Sequence, residues 1–229
     1  MSFTSNENIA IIVPARNESV VIRSVLTELL EQNYKVVCVD DGSTDTTSQI
    51  ARQCGAIVVS HAINLGQGAA IETGFELIRR GLVNCTYVAT FDADRQHDVS
   101  DIRKMADCLD TGGYSLVLGS RFLDEKSNVP IIKSLLLRSA AKLTSVSRRI
   151  HISDTHNGLR MLTKDTVKMF HLREAGYAHA DEFIKLIANL KLPYFEVPVN
   201  VKYSKYSKSK GQPLINVIRL AFDKVLGIR

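Results

Sequence analysis

The run Val88-Ala-Thr-Phe-Asp-Ala-Asp-Arg-Gln-His97 decides how this chain is interpreted. An apolar, strand-like stretch ends abruptly in two carboxylates, Asp92 and Asp94, and Gln96 follows two residues later. Carboxylates at i and i+2 beyond a strand can converge on one hard divalent cation. Mg²⁺ usually takes one or two protein carboxylates together with substrate phosphates. The alternative is a turn with two solvated Asp residues, because Asp is common in turns.

Similar apolar runs precede and follow this stretch and alternate with segments of helical spacing. The predicted strands are residues 9–13, 36–39, 56–59, 87–91 and 116–118. The helices predicted between them cover 18–32, the stretch up to about 53, 67–80 and 100–109. Alternation of strands and helices with short connections predicts an α/β fold, with a mostly parallel central sheet and helices on both faces.

The alternation stops near Arg121, and the second half of the chain is less regular. Its spacing predicts helices at 131–149, 181–190 and 214–226, a Lys- and Ser-rich loop at 203–213, and a strand at 195–201. Pro198 places that strand at a sheet edge, because proline cannot donate to the ladder. The helix at 131–149 has a basic face of Arg138, Lys142 and Arg149.

Composition limits the classes of function. The chain has 229 residues, 45% of them hydrophobic, with a net charge of +5 and a pI near 9.0. That size suits one large α/β domain or two small ones, and the mild positive charge suits phosphate ligands, an anionic membrane surface or nucleic acid. Few aromatic residues and no nucleic-acid motif argue against nucleic acid. No apolar run approaches the roughly 20 residues of a membrane span, and no signal-peptide pattern opens the chain. We therefore expect a cytoplasmic protein with reduced cysteines.

Distinctive residues follow each predicted strand in turn. They form the segments 14–18, 40–43, 64–68, 92–94 and 119–121. Taken singly, each has an ordinary explanation, such as a turn, a helix cap or the backbone freedom of glycine. In parallel sheets, however, ligands bind beyond the carboxyl ends of the strands. Five such segments on one rim therefore indicate a binding site.

In this order, these residues resemble family 2 glycosyltransferases of the GT-A fold, and most closely the polyprenyl-phosphate sugar synthases of the dolichyl-phosphate mannose synthase group. The resemblance covers residues 9–163 well and continues more loosely to Lys210, through Asn157-Gly-Leu-Arg160. It implies one domain, 1–229, made of a nucleotide-binding half at 1–120, an acceptor half at 121–210 and a C-terminal amphipathic helix at 211–229.

The resemblance also implies roles for individual residues. The nucleotide of a GDP- or UDP-sugar would be bound by Pro14, Arg16, Glu18, Asp41, Asn64, Gln67, Asp92 and Ala93. Mg²⁺ or Mn²⁺ would be held by Asp92, Asp94 and Gln96. The acceptor phosphate would be held by Arg121, Arg138 and Lys210, and arginine suits this role because its planar fork binds phosphate oxygens bidentately. One departure concerns Gln67, which stands where the synthase group usually has Lys.

The acceptor decides the mechanism. A sugar hydroxyl needs a general base. A phosphate monoester is largely dianionic at pH 7, because its second pKa is about 6, and needs clamping cations instead. Three acids are candidate catalytic residues: Asp94 at the metal, Asp154 after the basic helix, and Asp181 beside Glu182. Asp181 and Glu182 could equally favour a helix start, where negative charge meets the dipole. Asp154 could bind the acceptor, act as a base or cap a turn.

The leading hypothesis is an inverting, metal-assisted transfer of a sugar to a polyprenyl phosphate. The alternatives are transfer to a sugar hydroxyl of a cell-envelope polysaccharide and, behind it, an inactive sugar-nucleotide-binding subunit. A nucleotidyltransferase is a weaker alternative, because it would usually show a Gly-rich, Arg-containing loop after strand one. The amphipathic end after Pro213 can lie in a membrane interface, dock on a small membrane protein, or pack on the domain itself. Peripheral attachment at the inner face of the cell membrane is the matching location.

Overall fold

The structure of the protein is a computed structural model that describes residues 3–124 and 150–202. The helix predicted at 131–149 with Arg138, the loop with Lys210 and the helix predicted at 214–226 lie outside these residues. The four cysteines are free, as expected; Cys38 and Cys85 are buried, and the other two are partly buried. Within the described ranges, every helix is too short or too polar to span a bilayer.

The elements alternate through the first half of the chain. After a short 3-10 turn at Asn6–Asn8 come β1 (Ile9–Ala15), α1 (Ile22–Glu31), β2 (Lys35–Asp40), α2 (Thr47–Cys54), β3 (Ile57–Ser60), α3 (Gln67–Arg79), β4 (Tyr87–Thr90), α4 (Ser100–Gly112) and β5 (Leu116–Ser120). The second half adds β6 (Arg160–Thr163), α5 (Lys164–Met169), α6 (His179–Asn189) and β7 (Tyr194–Pro198). All five strands predicted in the first half are present, within a few residues of their predicted bounds.

These strands form one seven-stranded sheet in the order β3-β2-β1-β4-β6-β5-β7. Pairing is parallel from β3 through β4 and again between β5 and β7. Only β6 runs against its neighbours, β4 and β5. The prediction of a mostly parallel sheet is therefore confirmed. The carboxyl ends of β1, β2, β4 and β5 share one rim, which is where the distinctive residues lie.

Helices cover both faces of the sheet, as predicted, because β1 is apolar on both sides. Ile9, Ile11 and Val13 pack on the face covered by α1 and α4. Ala10 and Ile12 pack on the face covered by α3, α5 and α6. All five side chains are fully buried. A continuous apolar run of this kind is typical of a strand buried on both faces, and burial of its side chains stabilises the sheet.

Strand β6 and helix α5 were not predicted. Arg160-Met-Leu-Thr163 begins with a charged residue and is only four residues long, so it lacks the apolar run that marked the other strands. Helix α5 is six residues long and is capped at its N-terminus by Thr163, whose hydroxyl accepts a hydrogen bond from the Thr166 backbone N–H at 3.2 Å. Strand β6 matters for the site, because it joins β4, which leads to Asp92, with β5, which leads to Arg121.

Several predicted boundaries differ from the structure by a few residues, among them those of α1 and β7. Helix α1 begins at Ile22 rather than residue 18, since residues 18–21 form a turn closed by the Val21 N–H to Glu18 carbonyl bond of 3.0 Å. Strand β7 ends at Pro198 rather than residue 201. Among the described strands it lies at the edge of the sheet and pairs only with β5, so the edge position predicted from Pro198 is confirmed.

Candidate functional site

Asp92 and Asp94, together called the carboxylate pair, follow β4 in a tight loop in which Arg95 has a positive φ of 62°. Both oxygens of Asp92 are engaged. Gln67 Nε2 donates to Oδ1 at 3.1 Å, and His97 Nε2 lies 2.9 Å from Oδ2. The structure thus brings Gln67, at the start of α3, to the first carboxylate. These contacts fix the orientation of Asp92 before any ligand arrives.

Asp94 is engaged differently, by the residue that follows it in the motif. The side-chain amide of Gln96 donates to Asp94 Oδ2, and the Gln96 backbone N–H donates to Oδ1 at 3.2 Å. Burial and the neighbouring charge of Asp92 raise the pKa of Asp94 to about 6. Two like charges at close range repel each other. A bound cation would relieve that repulsion.

The carboxylate pair fits a divalent cation of the Mg²⁺ or Mn²⁺ type. Its ligand atoms would be carboxylate and amide oxygens of Asp92, Asp94 and Gln96, which hard cations prefer. No cluster of three or more His, Cys, Asp or Glu residues suited to a metal occurs within residues 3–124 and 150–202. A complete protein cage is therefore absent there, and the arrangement suits a metal whose remaining ligands come from substrate phosphates and water.

Gly158, two residues before β6, lies against Asp92 of the carboxylate pair. A Cβ atom on this glycine would lie 2.3 Å from Asp92 Oδ2 and 2.6 Å from Oδ1. The Thr90 hydroxyl also donates to the Gly158 carbonyl at 2.6 Å. Only a residue without a side chain allows the backbone this close to the carboxylate. The Asn157-Gly-Leu-Arg160 motif therefore packs directly against the Asp92 carboxylate through Gly158.

Asp41, at the end of β2, holds the loop that leads into α3. Its carboxylate accepts the backbone N–H groups of Leu65 and Gly66, each at 2.8 Å, and lies 2.8 Å from His61 Nδ1. Burial raises the pKa of this carboxyl, but the bonds from His61, Leu65 and Gly66 together hold it below its usual value. Asp41 is thus anionic and positions the segment 64–68.

Gly66 allows that loop to pack against a distant segment. It has a φ of 104°, and a Cβ there would lie 2.4 Å from the Ala175 carbonyl oxygen. The same carbonyl accepts the Ala69 N–H at 3.1 Å. The glycines of the Asn-x-Gly-x-Gly motif therefore serve close packing between the start of α3 and the chain before α6.

The other predicted nucleotide residues lie on the same rim. Pro14 and Glu18 flank the end of β1, and the Glu18 backbone N–H donates to Thr47 Oγ1 at 2.8 Å. Arg16 and Asn64 are exposed, whereas Ala93 is buried. The structure brings these segments together. Their roles toward a nucleotide remain predictions.

Arg121 and Asp154, together called the ion pair, form a buried bidentate contact. Arg121 Nε donates to Asp154 Oδ2 and Nη2 donates to Oδ1, both at 2.7 Å, and the Arg121 backbone N–H adds a bond of 3.1 Å. Arg121 is 8% exposed and Asp154 only 3%. Burial raises the pKa of Asp154, but the adjacent guanidinium holds it below its usual value. Asp154 is consequently a charged, weakly basic carboxylate.

Arg160 lies between the carboxylate pair and the ion pair. Its guanidinium is buried, donates to the carbonyls of Asn157 at 3.0 Å and Thr155 at 3.1 Å, and stacks over the Phe183 ring at 4.2 Å. Burial lowers its pKa to about 10, while the charges of Asp92 and Asp154 oppose that shift. Arg160 therefore remains cationic near neutral pH.

The predicted acids of the late helix lie in the first turn of α6. Glu182 accepts the backbone N–H groups of Arg173 and Glu174 at 2.8–3.0 Å, so it anchors the chain before the helix. Asp181 lies one residue earlier, and its backbone N–H bonds to the Ala178 carbonyl at 3.1 Å. Both acids therefore stand where a helix start favours negative charge. The catalytic role of Asp181 remains a prediction.

Three residues of the site were not among the predicted site residues. His97 is 7% exposed and contacts Asp92, and its place directly after the metal motif was the available signal. Arg160 closes the Asn-Gly-Leu-Arg motif, which marked it in the sequence. His61, which bridges Asp41 and Thr73, had no sequence signal, because a lone His beside a strand has no distinguishing pattern.

Comparison with known proteins gives a consistent result. A family model described as Glycosyl transferase family 2 matches residues 10–170. The UDP-N-acetylglucosamine–dolichyl-phosphate N-acetylglucosaminyltransferase of Methanococcus voltae is 29% identical over 225 residues, which cover 89% of this chain and 89% of that protein. The undecaprenyl-phosphate 4-deoxy-4-formamido-L-arabinose transferase of Aeromonas hydrophila is 28% identical over 243 residues, which cover 98% of this chain and 69% of that protein.

A solved structure shares the fold. Glucosyl-3-phosphoglycerate synthase from Mycobacterium tuberculosis, in complex with Mn²⁺, uridine diphosphate and glucosyl-3-phosphoglycerate, superimposes with a TM-score of 0.68. The match covers 96% of this chain and 79% of that one, at 18% identity. At this identity the likeness establishes the fold, and the predicted GT-A architecture is confirmed.

Proposed function

The chain belongs to glycosyl transferase family 2, and we propose that it transfers a sugar from a nucleotide-sugar donor to a polyprenyl phosphate. Two relatives that span most of this chain are named for dolichyl-phosphate and undecaprenyl-phosphate acceptors. Both acceptors are phosphate monoesters of long isoprenoid alcohols. The shared chemical feature is a phosphate at the end of a lipid, and this feature is what the proposal assigns to the chain.

The observation that carries the proposal is the buried ion pair of Arg121 and Asp154. A hydroxyl acceptor needs a carboxylate that can take up its proton. Asp154 already accepts three hydrogen bonds from Arg121 and has a depressed pKa, so it is a poor base. A phosphate monoester, in contrast, is largely dianionic at pH 7 and attacks without losing a proton. A cation held rigidly at the rim serves that acceptor better than a base.

The donor would lie at the carboxylate pair. Asp92, Asp94 and Gln96 would hold a divalent cation, which supplies Lewis-acid stabilisation of the leaving nucleoside diphosphate. Asp41 and the segment 64–68 would shape the nucleotide pocket with Pro14, Arg16 and Glu18. Gln67 and His97 would keep Asp92 in place, as they already do.

Transfer would then be a single displacement. A phosphate oxygen of the acceptor forms the new bond to the anomeric carbon, and the bond from that carbon to the nucleoside diphosphate breaks. Attack comes from the face opposite the leaving group, so the anomeric configuration inverts. Arg121 would orient the phosphate, with Arg138 and Lys210 as further predicted partners outside the described residues. The reaction would run where the lipid is, with the protein attached peripherally to the membrane surface.

Side-by-side acceptors test the proposal. Purified protein is given UDP- and GDP-sugars with Mn²⁺ or Mg²⁺, and either a polyprenyl phosphate or a glycan that offers only free hydroxyls. We expect transfer to the lipid phosphate alone, and we expect Asp181→Asn to retain most of that activity because no base is required. Thr166→Ser, on the remote helix α5, is the matched control for handling and stability.

Two results would contradict the proposal. Transfer only to the glycan hydroxyl, with Asp181→Asn inactive, would assign the chain to polysaccharide synthesis through a base-catalysed step. Binding of nucleotide sugars without transfer to either acceptor, at any divalent metal tested, would instead indicate a sugar-nucleotide-binding subunit.

A further inference from the structure

Segment 154–158, called the linking segment, touches both centres of the site. At one end Asp154 forms the ion pair with Arg121. At the other end Gly158 lies against the Asp92 carboxylate, so closely that a Cβ would overlap it at 2.3 Å. Five consecutive residues thus span the distance between the carboxylate pair and the ion pair. A shift of this segment at one end must be accommodated at the other, because packed interiors leave little free space.

Arg160 binds the linking segment through two side-chain hydrogen bonds. Its Nε donates to the Asn157 carbonyl and its Nη2 donates to the Thr155 carbonyl. One planar guanidinium therefore bridges two carbonyls that are two residues apart in the segment. The Phe183 ring fixes the plane of the guanidinium from the other side, at 4.2 Å. A lysine ammonium carries the same charge but cannot reproduce this fork.

The sheet places Arg160 midway between the two centres. In the antiparallel register of β6, Arg160 is opposite Thr90 of β4 on one side and Leu118 of β5 on the other. Asp92 is two residues beyond Thr90, and Arg121 is three residues beyond Leu118. The buried charge of Arg160 acts on both Asp92 and Asp154. No other described strand adjoins both β4 and β5.

We propose that Arg160 is a positioning residue that couples the two centres, so that a change at the ion pair alters ligand binding at the carboxylate pair. This inference rests on the proposed function for the names of the two ligands, nucleotide at the carboxylate pair and phosphate acceptor at the ion pair. The coupling itself depends only on the contacts of the linking segment. Through this coupling, acceptor binding at the ion pair would change the affinity for the donor at the carboxylate pair.

A double-mutant cycle measures this coupling. The dissociation constant is determined by calorimetry for Mn²⁺ with UDP, for Mn²⁺ with GDP and for Mn²⁺ alone. The acceptor-side change is Asp154→Asn, with Arg121→Lys as a second, milder version. Each is combined with Arg160→Lys, which keeps the charge, and with Arg160→Met, which removes it. The matched control is Arg79→Met, since Arg79 also donates to two backbone carbonyls, those of Val167 and Phe170, but lies at the far end of α3.

With Arg160 present, we expect Asp154→Asn or Arg121→Lys to weaken binding at the carboxylate pair about fivefold or more, a usual size for coupling between sites. In both Arg160 variants the same change should have less than about a twofold effect, because the fork is lost. In the Arg79→Met background the full effect should remain. Since Arg160→Lys keeps the buried charge, it provides a folded background if Arg160→Met does not fold.

Equal effects in all backgrounds would overturn the inference, and so would the absence of any acceptor-side effect on binding when Arg160 is intact. Failure of the proposed function would give a different experimental result. The wild type would then transfer no sugar to a polyprenyl phosphate, while the coupling measured with nucleoside diphosphate or with Mn²⁺ alone would persist.

Discussion

The carboxylate pair and the ion pair both place acidic side chains in a half-buried site, but the negative charges are balanced differently in the two centres. Asp92 and Asp94 are adjacent like charges, and no Lys or Arg forms an ion pair with either of them among residues 3–124 and 150–202. Asp154 is fully matched by the guanidinium of Arg121, with two bonds of 2.7 Å. Among the described residues, the carboxylate pair therefore has more unbalanced negative charge than the ion pair, in which one carboxylate faces one guanidinium.

The proposed function assigns a different ligand to each centre because of this difference in charge. A site with surplus negative charge attracts a divalent metal and, through it, a diphosphate. In the proposed function, the guanidinium of the rigid Arg121–Asp154 pair would contact the incoming phosphate. The pair offers no strong base. The charge balance of the two centres therefore supports the proposed transfer to a phosphate.

The largest effect should come from removing the second carboxylate. Asp94→Ala should reduce turnover by about 10²–10³-fold or more, the loss typical of removing a group that stabilises transition-state charge. Nucleotide binding should also lose its dependence on Mg²⁺ or Mn²⁺. Calorimetry with and without metal measures this. Asp98→Asn, four residues further along the same loop and paired with Lys202, is the control and should keep most of the turnover. Full activity of Asp94→Ala would show that turnover does not depend on a metal held by Asp94.

Breaking the ion pair should show in stability. Arg121→Met leaves Asp154 buried without its partner, and the free energy of unfolding should fall by about 3–5 kcal/mol. The double variant Arg121→Met/Asp154→Leu should recover most of that loss, because neither charge of the ion pair is left buried without its partner. Denaturant unfolding provides the values. Arg80→Met, which breaks an exposed ion pair with Glu76, should leave stability close to that of the wild type. An equally stable Arg121→Met would mean that the pair is open to solvent.

The same ion pair should separate acceptor from donor. Arg121→Lys, which keeps a charge but loses the bidentate fork, should raise the KM for acceptor more than it changes the dissociation constant for nucleotide. The coupling through Arg160 sets the smaller donor effect. If nucleotide binding is lost first, Arg121 belongs to the donor centre and the assignment of the two centres is reversed.

A smaller effect is expected at Gly158. Gly158→Ala places a methyl group on Asp92, and the resulting overlap should cost about 1–3 kcal/mol of stability, the usual range for overpacking. Metal-dependent nucleotide binding should weaken at the same time. Gly176→Ala is the control, since a Cβ there meets no atom within 4 Å. Identical behaviour of the two alanine variants would show that the linking segment does not press on Asp92.

Asp41 differs from the acids of both centres, because its negative charge is stabilised by backbone N–H donors and by His61. Because its pKa is lower in the folded protein than when unfolded, its stabilising contribution is present above about pH 4 and is lost as pH falls through the folded pKa. Asp41→Asn should therefore cost about 1.5–3 kcal/mol at pH 7 and much less near pH 3. Unfolding curves at both pH values test this, with the exposed Asp165→Asn as control. A cost that does not change with pH would contradict the charged state of Asp41.

The first half of the fold was predictable because its signals are local. Each buried strand is an apolar run such as 9–13, and each ends in polar residues that mark the same rim. The carboxylate pair, Gln96 and the segment 64–68 were predicted as site residues from spacing and resemblance, and their roles remain predictions. The structure adds that Gln67, in place of the usual Lys, reaches Asp92 as a neutral donor.

The second half was less predictable because its contacts are long-range. Strand β6 is short and starts with an arginine that is buried only because β4 and β5 flank it. Asp154 was proposed as a possible base, acceptor ligand or turn cap. Its pairing with Arg121, 33 residues earlier, could not be seen from local sequence. Packing between distant segments, as at Gly66 and Ala175, likewise has no local pattern.

The pH dependence of transfer tests the central claim most directly. With saturating nucleotide sugar and metal, and limiting polyprenyl phosphate, the rate should rise as the acceptor becomes dianionic, through its second pKa of about 6. Because the nucleophile supplies its own charge, Asp181→Asn should follow the same curve at a similar height. A rate that depends on Asp181 at every pH, with no rise that follows phosphate ionisation, would show that a protein base activates the acceptor and would contradict the account.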